Sequence, residues 1–364
     1  MEKCNIPSHL LLFTICFFVL LLSVAGPAAA AEAHNISAVF AFGDSTLDPG
    51  NNNNLPTFVK ANHPPYGRDF PGGAATGRFT DGKLITDFLV ASLGLGDALP
   101  PYYGGSNNFS SAGPGVSFAS AGSGLDDLTA ATSGVETVAT QVANFEAYIA
   151  TLPAETAAEV VKDAMFIVGT GSNDLIMNYY LLPTRRSTFT LPSYHAFLLQ
   201  KLESLIEQLY KLGARKFAVA GLPPLGCLPL QMTLTMQPNP GYAQRACIAE
   251  QNAAAAMYNA DLQTMLQSLK TSPVMPDRTK FVYVDIFTPF LDMVQQPMKY
   301  GLIETRIGCC GTGLVEMGPL CNNPSMTCPF PSRFLFWDSV HPSQATYQSL
   351  ANQFMQTVLP QFAN

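Results

Sequence analysis

A hydroxyl, an imidazole and a carboxylate that could work together lie at opposite ends of this chain: Ser45 near one end, Asp338 and His341 near the other. Ser45 falls where the apolar run Ala38-Val39-Phe40-Ala41-Phe42 gives way to Gly43-Asp44-Ser45-Thr46 and then to Asn51 through Asn54. A serine hydroxyl is a weak nucleophile at neutral pH and needs a base, normally His, that is oriented by a third group. Of the five histidines, His9 lies in the N-terminal apolar stretch, His34 follows it, and His63 sits in the loop Asn62-His63-Pro64-Pro65. His195 belongs to a helical pattern whose polar face is expected to carry it. His341 differs because Trp337-Asp338-Ser339-Val340-His341-Pro342 places a carboxylate three residues upstream in a turn-forming segment. Asp338 could then accept from one ring nitrogen, fix the tautomer and leave the other nitrogen for Ser45.

Acyl transfer also needs donors for a developing oxyanion. Two glycine-rich stretches could supply them: Val116 to Gly124, where Gly122 could present its backbone N–H, and Phe166 to Asp174, where the Asn173 amide could donate. The N–H of Ser45, at the start of a helix expected after the motif, would be a third donor. Each segment also has a plain reading as a strand-to-helix turn, with Asp44, Ser45 or Thr46 as N-cap and the asparagines making local Asx turns. A G-D-S triplet alone arises by chance in roughly a tenth of chains this long.

The elements that must position these residues alternate along the chain. Short apolar strand-like runs occur at Ala38 to Phe42, Val116 to Ala119, Ala164 to Val168, Phe217 to Ala220 and Phe281 to Ile286. Stretches of 3.6-residue periodicity occupy Lys83 to Leu93, Val138 to Ile149, Tyr194 to Leu212, Ile248 to Leu269 and Ser343 to about Val358. Buried strands alternating with helices predict βαβ units and a parallel sheet covered on both faces, as one α/β domain with loop insertions. In such sheets ligands bind beyond the carboxyl ends of the strands, which is where Ser45, Gly122 and Asn173 fall.

With these blocks in order, the chain resembles the GDSL esterase/lipase group of the SGNH hydrolase superfamily, particularly its secreted plant members. The resemblance rests on Gly43-Asp44-Ser45-Thr46 with Asp48 and Gly50-Asn51-Asn52-Asn53, Phe118-Ala119-Ser120-Ala121-Gly122, Gly171-Ser172-Asn173-Asp174 and Asp338-Ser339-Val340-His341-Pro342. Similar phrases occur at Pro65-Tyr66-Gly67, Gly77 to Gly82, Gly221 to Cys227 and Cys309 to Gly313. It implies a three-layer α/β/α, flavodoxin-like fold in which Ser45 is the nucleophile, Asp338 and His341 complete the triad, and Ser45, Gly122 and Asn173 form the oxyanion hole. The chain departs from the family at Thr46, where Leu is usual, and at Ser117, where Asn is frequent. Gly115-Val116-Ser117-Phe118-Ala119 partly matches a nucleophile elbow, making Ser117 a rival. Its place inside a strand-like run directs its hydroxyl into packing instead.

The first 33 residues read as a secretory signal peptide: an apolar stretch of about 15 residues, shorter than the ~20 needed to span a membrane, followed by an alanine tract. A retained signal anchor is the alternative. The hydrolase domain then covers 34–364, with N-x-S/T sequons at Asn35 and Asn108. Six cysteines lie beyond the leader: Cys227, Cys247, Cys309, Cys310, Cys321 and Cys328. In an oxidising compartment they favour disulfides over a zinc site, with the pairing open among 15 possibilities. A net charge of −7 without a basic run disfavours nucleic acid as a partner. The expected activity is hydrolysis of a carboxylic ester, lipid or polysaccharide-linked, without metal or organic cofactor. Acyl transfer to an alcohol, or a silent lipid- or glycan-binding role, are the alternatives.

Overall fold

The computed structural model describes residues 36–104, 113, 115–235, 245–275 and 278–363. The expected leader and both sequons, at Asn35 and Asn108, lie outside the described residues. Five strands form one sheet: β1 (Val39–Gly43), β2 (Gly115–Ser117), β3 (Met165–Gly169), β4 (Lys216–Ala220) and β5 (Lys280–Val284). All pair in parallel, in the order β2-β1-β3-β4-β5. Every residue of β1 is buried, because parallel strands have helices on both faces.

The two faces carry different side chains. Phe40, Phe166, Phe217 and Phe281 occupy matched register positions on four adjacent strands. Their neighbouring ring centroids lie 5.4, 5.7 and 5.3 Å apart. This aromatic row packs beneath α3 (Val138–Ala150), α5 (Leu191–Lys211) and α7 (Ala249–Lys270). The opposite face presents smaller residues, Val39, Ala41, Met165, Ile167, Ala218 and Val282, to α1 (Ile85–Ser92) and α9 (Gln344–Thr357). Together these make a three-layer α/β/α arrangement. The remaining helices are α2 (Asp127–Ser133), α4 (Ala154–Asp163), α6 (Pro229–Leu234) and α8 (Phe287–Gln295).

Apart from the helix expected after Ser45, the predicted strands and helices lie within three residues of those observed. The largest shift is at α5, which starts at Leu191 because Thr190 caps it and Pro192 occupies its first turn. That helix also corrects the expectation for His195. The residue is buried on the same stripe as Leu198, Leu202 and Leu205, and its ring meets Tyr258 edge-on at 5.5 Å. Its spacing belongs to the apolar face, and burial lowers its pKa. After β3, residues Asp174–Leu181 form a wide π-helical turn that the periodicity did not signal.

A second, two-stranded parallel sheet, β6 (Glu304–Gly308) with β7 (Phe334–Phe336), leads directly into the segment holding Asp338 and His341. Disulfides Cys309–Cys328 and Cys310–Cys321 close the long loop between these strands, and Cys227–Cys247 joins α6's approach to that of α7. All six cysteines among the described residues are therefore in disulfides.

Candidate active site

The strand order makes the chain cross from one side of β1 to the other between β2 and β3, so β1 and β3 flank a topological switch point. Ser45 lies just past β1 at this point. Gly43 makes its approach possible. Its φ is +144°, and a Cβ would lie 1.9 Å from the Gly169 carbonyl oxygen on the neighbouring strand. The segment that follows is a turn rather than the expected helix: Leu47 N–H donates to the Asp44 carbonyl at 3.1 Å. Asp44 Oδ1 accepts from Thr46 N–H and Thr46 Oγ1. No described group accepts from Ser45 N–H, so the free donor comes from turn geometry.

Ser45 Oγ is 2.8 Å from His341 Nε2, and His341 Nδ1 is 2.7 Å from Asp338 Oδ2. Asp338 Oδ1 also accepts the backbone N–H groups of Val340 and His341, so the carboxylate shapes the turn as well as orienting the ring. Asp338 is fully buried, whereas Ser45 and His341 keep 6% and 5% of their surface exposed, at the floor of a cleft. The ring of Phe79 packs on His341 with centroids 4.8 Å apart. Beside it Asp81 accepts from Gln344 N–H, and Thr80 Oγ1 donates to the Pro342 carbonyl. The Gly77 to Gly82 segment thus packs on the imidazole and ties down the residues that follow it.

Gly122 has φ +84°, and its N–H has no partner among the described residues. Asn173 donates one amide hydrogen to the Ser123 carbonyl at 2.9 Å. An amide nitrogen has two hydrogens, so a second remains for a ligand in the cleft that Asn173 lines. Ser117, the rival nucleophile, is fully buried and donates to the Leu47 carbonyl at 2.7 Å. It supports the turn carrying Ser45 and does not reach the cleft.

Sequence reasoning missed three supports. The asparagines are not local turn-formers: Asn51 Nδ2 donates to the carbonyls of Ser117 and Ala119, and Asn52 Nδ2 to those of Val59 and Ala121. Asp48 accepts from Gly50 and Asn51 through one oxygen and from Ala121 N–H through the other, tying the Ser45 turn to the Gly122 loop. Burial raises its carboxyl to about 6 against those bonds. Tyr66 OH donates to Asp338 Oδ2 at 2.7 Å. Only the short phrase Pro65-Tyr66-Gly67 hinted at it.

The cleft, of about 120 Å³, runs from Ser45, His341 and Asn173 into apolar walls. Ile85 and Leu89 of α1 form one wall, Phe290 of α8 another, and Leu350 and Phe354 of α9 a third. No described helix is long and apolar enough to cross a membrane.

The family profile described as GDSL-like Lipase/Acylhydrolase matches residues 39–354. A GDSL esterase/lipase of Arabidopsis thaliana is 44% identical, across 95% of this chain and 96% of that protein. A second from the same plant is 43% identical, across 85% and 86%. A third is 41% identical, across 93% and 95%.

Proposed function

This chain belongs to the GDSL-like lipase/acylhydrolase family and is a carboxylic ester hydrolase, and on that basis we propose that Ser45 attacks the ester carbonyl to form an acyl-enzyme. The observation that carries the reading is the continuous relay from Ser45 Oγ through His341 to the buried Asp338. His341 Nε2 takes the serine proton as Oγ bonds to the carbonyl carbon, while Asp338 stabilises the imidazolium that forms. The oxyanion accepts from Ser45 N–H, Gly122 N–H and the remaining Asn173 amide hydrogen. Such donors lower a barrier because they are already oriented before charge develops; removing one typically costs about 10²–10³-fold in rate. His341 then returns its proton to the leaving alcohol. Water enters, His341 activates it, and the acid departs.

The apolar walls favour an ester whose acyl group is a hydrocarbon chain, since burying each CH₂ is worth about 0.8 kcal/mol. We read residues 1–33 as a leader removed on the secretory route and 34–364 as the hydrolase domain, a reading supported by the three disulfides. The test is a serine-reactive phosphonate together with steady-state turnover. Ser45→Ala should escape labelling and lose at least about 10³-fold in kcat. Equal labelling of wild type and variant would reject the assignment. Release of free acid without an added alcohol separates hydrolysis from acyl transfer.

A further inference from the structure

At the edge of the sheet opposite Ser45, six cationic side chains line one open basin: Lys162, Lys211, Arg215, Lys216, Arg278 and Lys280. The chain carries 19 Lys and Arg against 26 Asp and Glu, so nearly a third of its cations gather in one depression of an acidic protein. Asp163 is the one carboxylate among the described lining residues. Lys216 and Lys280 are the first residues of β4 and β5 and stand in register beside each other. Like charges at paired positions on adjacent strands oppose folding. Burial lowers the Lys216 ammonium, Asp163 works against that, and Lys280 adds to it.

The basin floor is held from within. The Lys216 side chain is 9% exposed, with Nζ 3.4 Å from Asp163 Oδ1. Lys280 Nζ donates to the carbonyls of Phe362 and Ala363. Arg215 Nη1 donates to those of Tyr210 and Ala214. Lys162, Lys211 and Arg278 form an exposed rim above it.

We propose that this basin docks a linear polyanion, the carboxylate-bearing chain of an acidic polysaccharide, while the ester cleft stays open at the other edge of the sheet. Three observations select that occupant. The volume of about 1480 Å³ exceeds the ~300–1,000 Å³ usual for small-molecule pockets. No aromatic ring is among the described lining residues, so the stacking platforms that hold single-stranded nucleic acid are missing. The large apolar lining residues Ile149, Val161 and Leu212 are buried or half-buried, and none projects as an anchor to enter a bilayer. Because parallel strands run from the basin to the cleft, an enzyme held here on an acidic polymer presents Ser45 outward.

The test is binding of the disulfide-bonded protein to polygalacturonate, with neutral dextran, phosphatidylserine vesicles and a single-stranded oligodeoxynucleotide measured alongside. Binding to polygalacturonate should weaken as NaCl is raised, and dextran should not bind. The triple variant Lys162→Ala, Lys211→Ala, Arg278→Ala should bind polygalacturonate about tenfold more weakly or worse. Its turnover of a soluble ester should be unchanged, which shows that it is folded. A second triple variant at the exposed Lys270, Lys299 and Arg333 changes net charge equally and should bind as wild type. The proposal is overturned by absent binding, by equal losses in both triple variants, or by vesicles or oligonucleotide binding more tightly than polygalacturonate.

Discussion

Tyr66 shows how much a single hydroxyl can settle. Its OH donates to Asp338 Oδ2 at 2.7 Å and accepts from Gly318 N–H at 2.8 Å, so it bridges the carboxylate to the disulfide-closed loop. Burial, reinforced by the Asp338 charge, pushes the phenol well above its usual range. The proton therefore stays on Tyr66 and the bond has one direction, phenol to carboxylate. A hydrogen bond to a charged group is worth about 1.5–3 kcal/mol. Tyr66→Phe should accordingly lower kcat about tenfold or more. KM should barely change, because the ring does not line the cleft. Kinetics on a soluble ester decide it: an unaltered kcat would mean that Asp338 is held well enough by Val340 and His341 alone.

At the scale of elements, α9 serves the base and the cleft together. Ser343 caps it two residues after His341, accepting from Thr346 N–H, and about two and three turns further on Leu350 and Phe354 face the cleft. Filling that space with Leu350→Trp should reduce turnover of a long-chain acyl ester relative to the acetate ester by about tenfold or more, the usual range for pocket discrimination. A fall of equal size for both esters would place the acyl group elsewhere. The five strands of the main sheet, helices α1, α3, α5, α7 and α9, and the trio Ser45, His341 and Asp338 were legible because apolar periodicity and turn chemistry are local. The order β2-β1-β3-β4-β5 was not, since it depends on packing between distant segments. The asparagine clamps were hidden for the same reason: Asn51 and Asn52 bond carbonyls 66 to 69 residues away. His195 departs from the expected polar face because its spacing to Leu198 and Leu202 puts it on the apolar stripe, where burial against Tyr258 outweighs the polarity of its ring.

Over the whole molecule, buried carboxyls set how stability depends on pH. Burial raises Asp48 and Asp81 to about 6 and Asp174 to about 7. An Asp in the unfolded chain releases its proton near pH 4. Between that value and the folded one the native state binds more protons, so each of these groups makes stability fall as pH rises and level off above its folded pKa. Glu316 acts in the opposite sense: despite burial, bonds from Thr312 and Val315 bring it to about 2. Its contribution is present above about pH 4.5 and is lost as pH falls toward 2. Asp174 accepts from Leu125 N–H, Asp126 N–H and Thr129 Oγ1. Asp174→Asn cannot ionise, so its Tm minus that of wild type should grow more positive from pH 5 to pH 8. A pH-independent difference, read by thermal melts, would show that this carboxyl titrates normally.

Trp337 is the chain's one tryptophan, fully buried beside Asp338. Its backbone N–H donates to the His341 carbonyl, and its own carbonyl accepts from Cys310 N–H, each at 2.8 Å. Indole emission from this protein therefore comes from a single address, a ring packed against Tyr66 in a cluster with the half-cystines Cys309, Cys310 and Cys321. A red shift in that fluorescence marks water reaching the base loop, whether reduction of Cys310–Cys321 or unfolding lets it in. The fold thus carries an intrinsic optical gauge of the segment on which its chemistry depends.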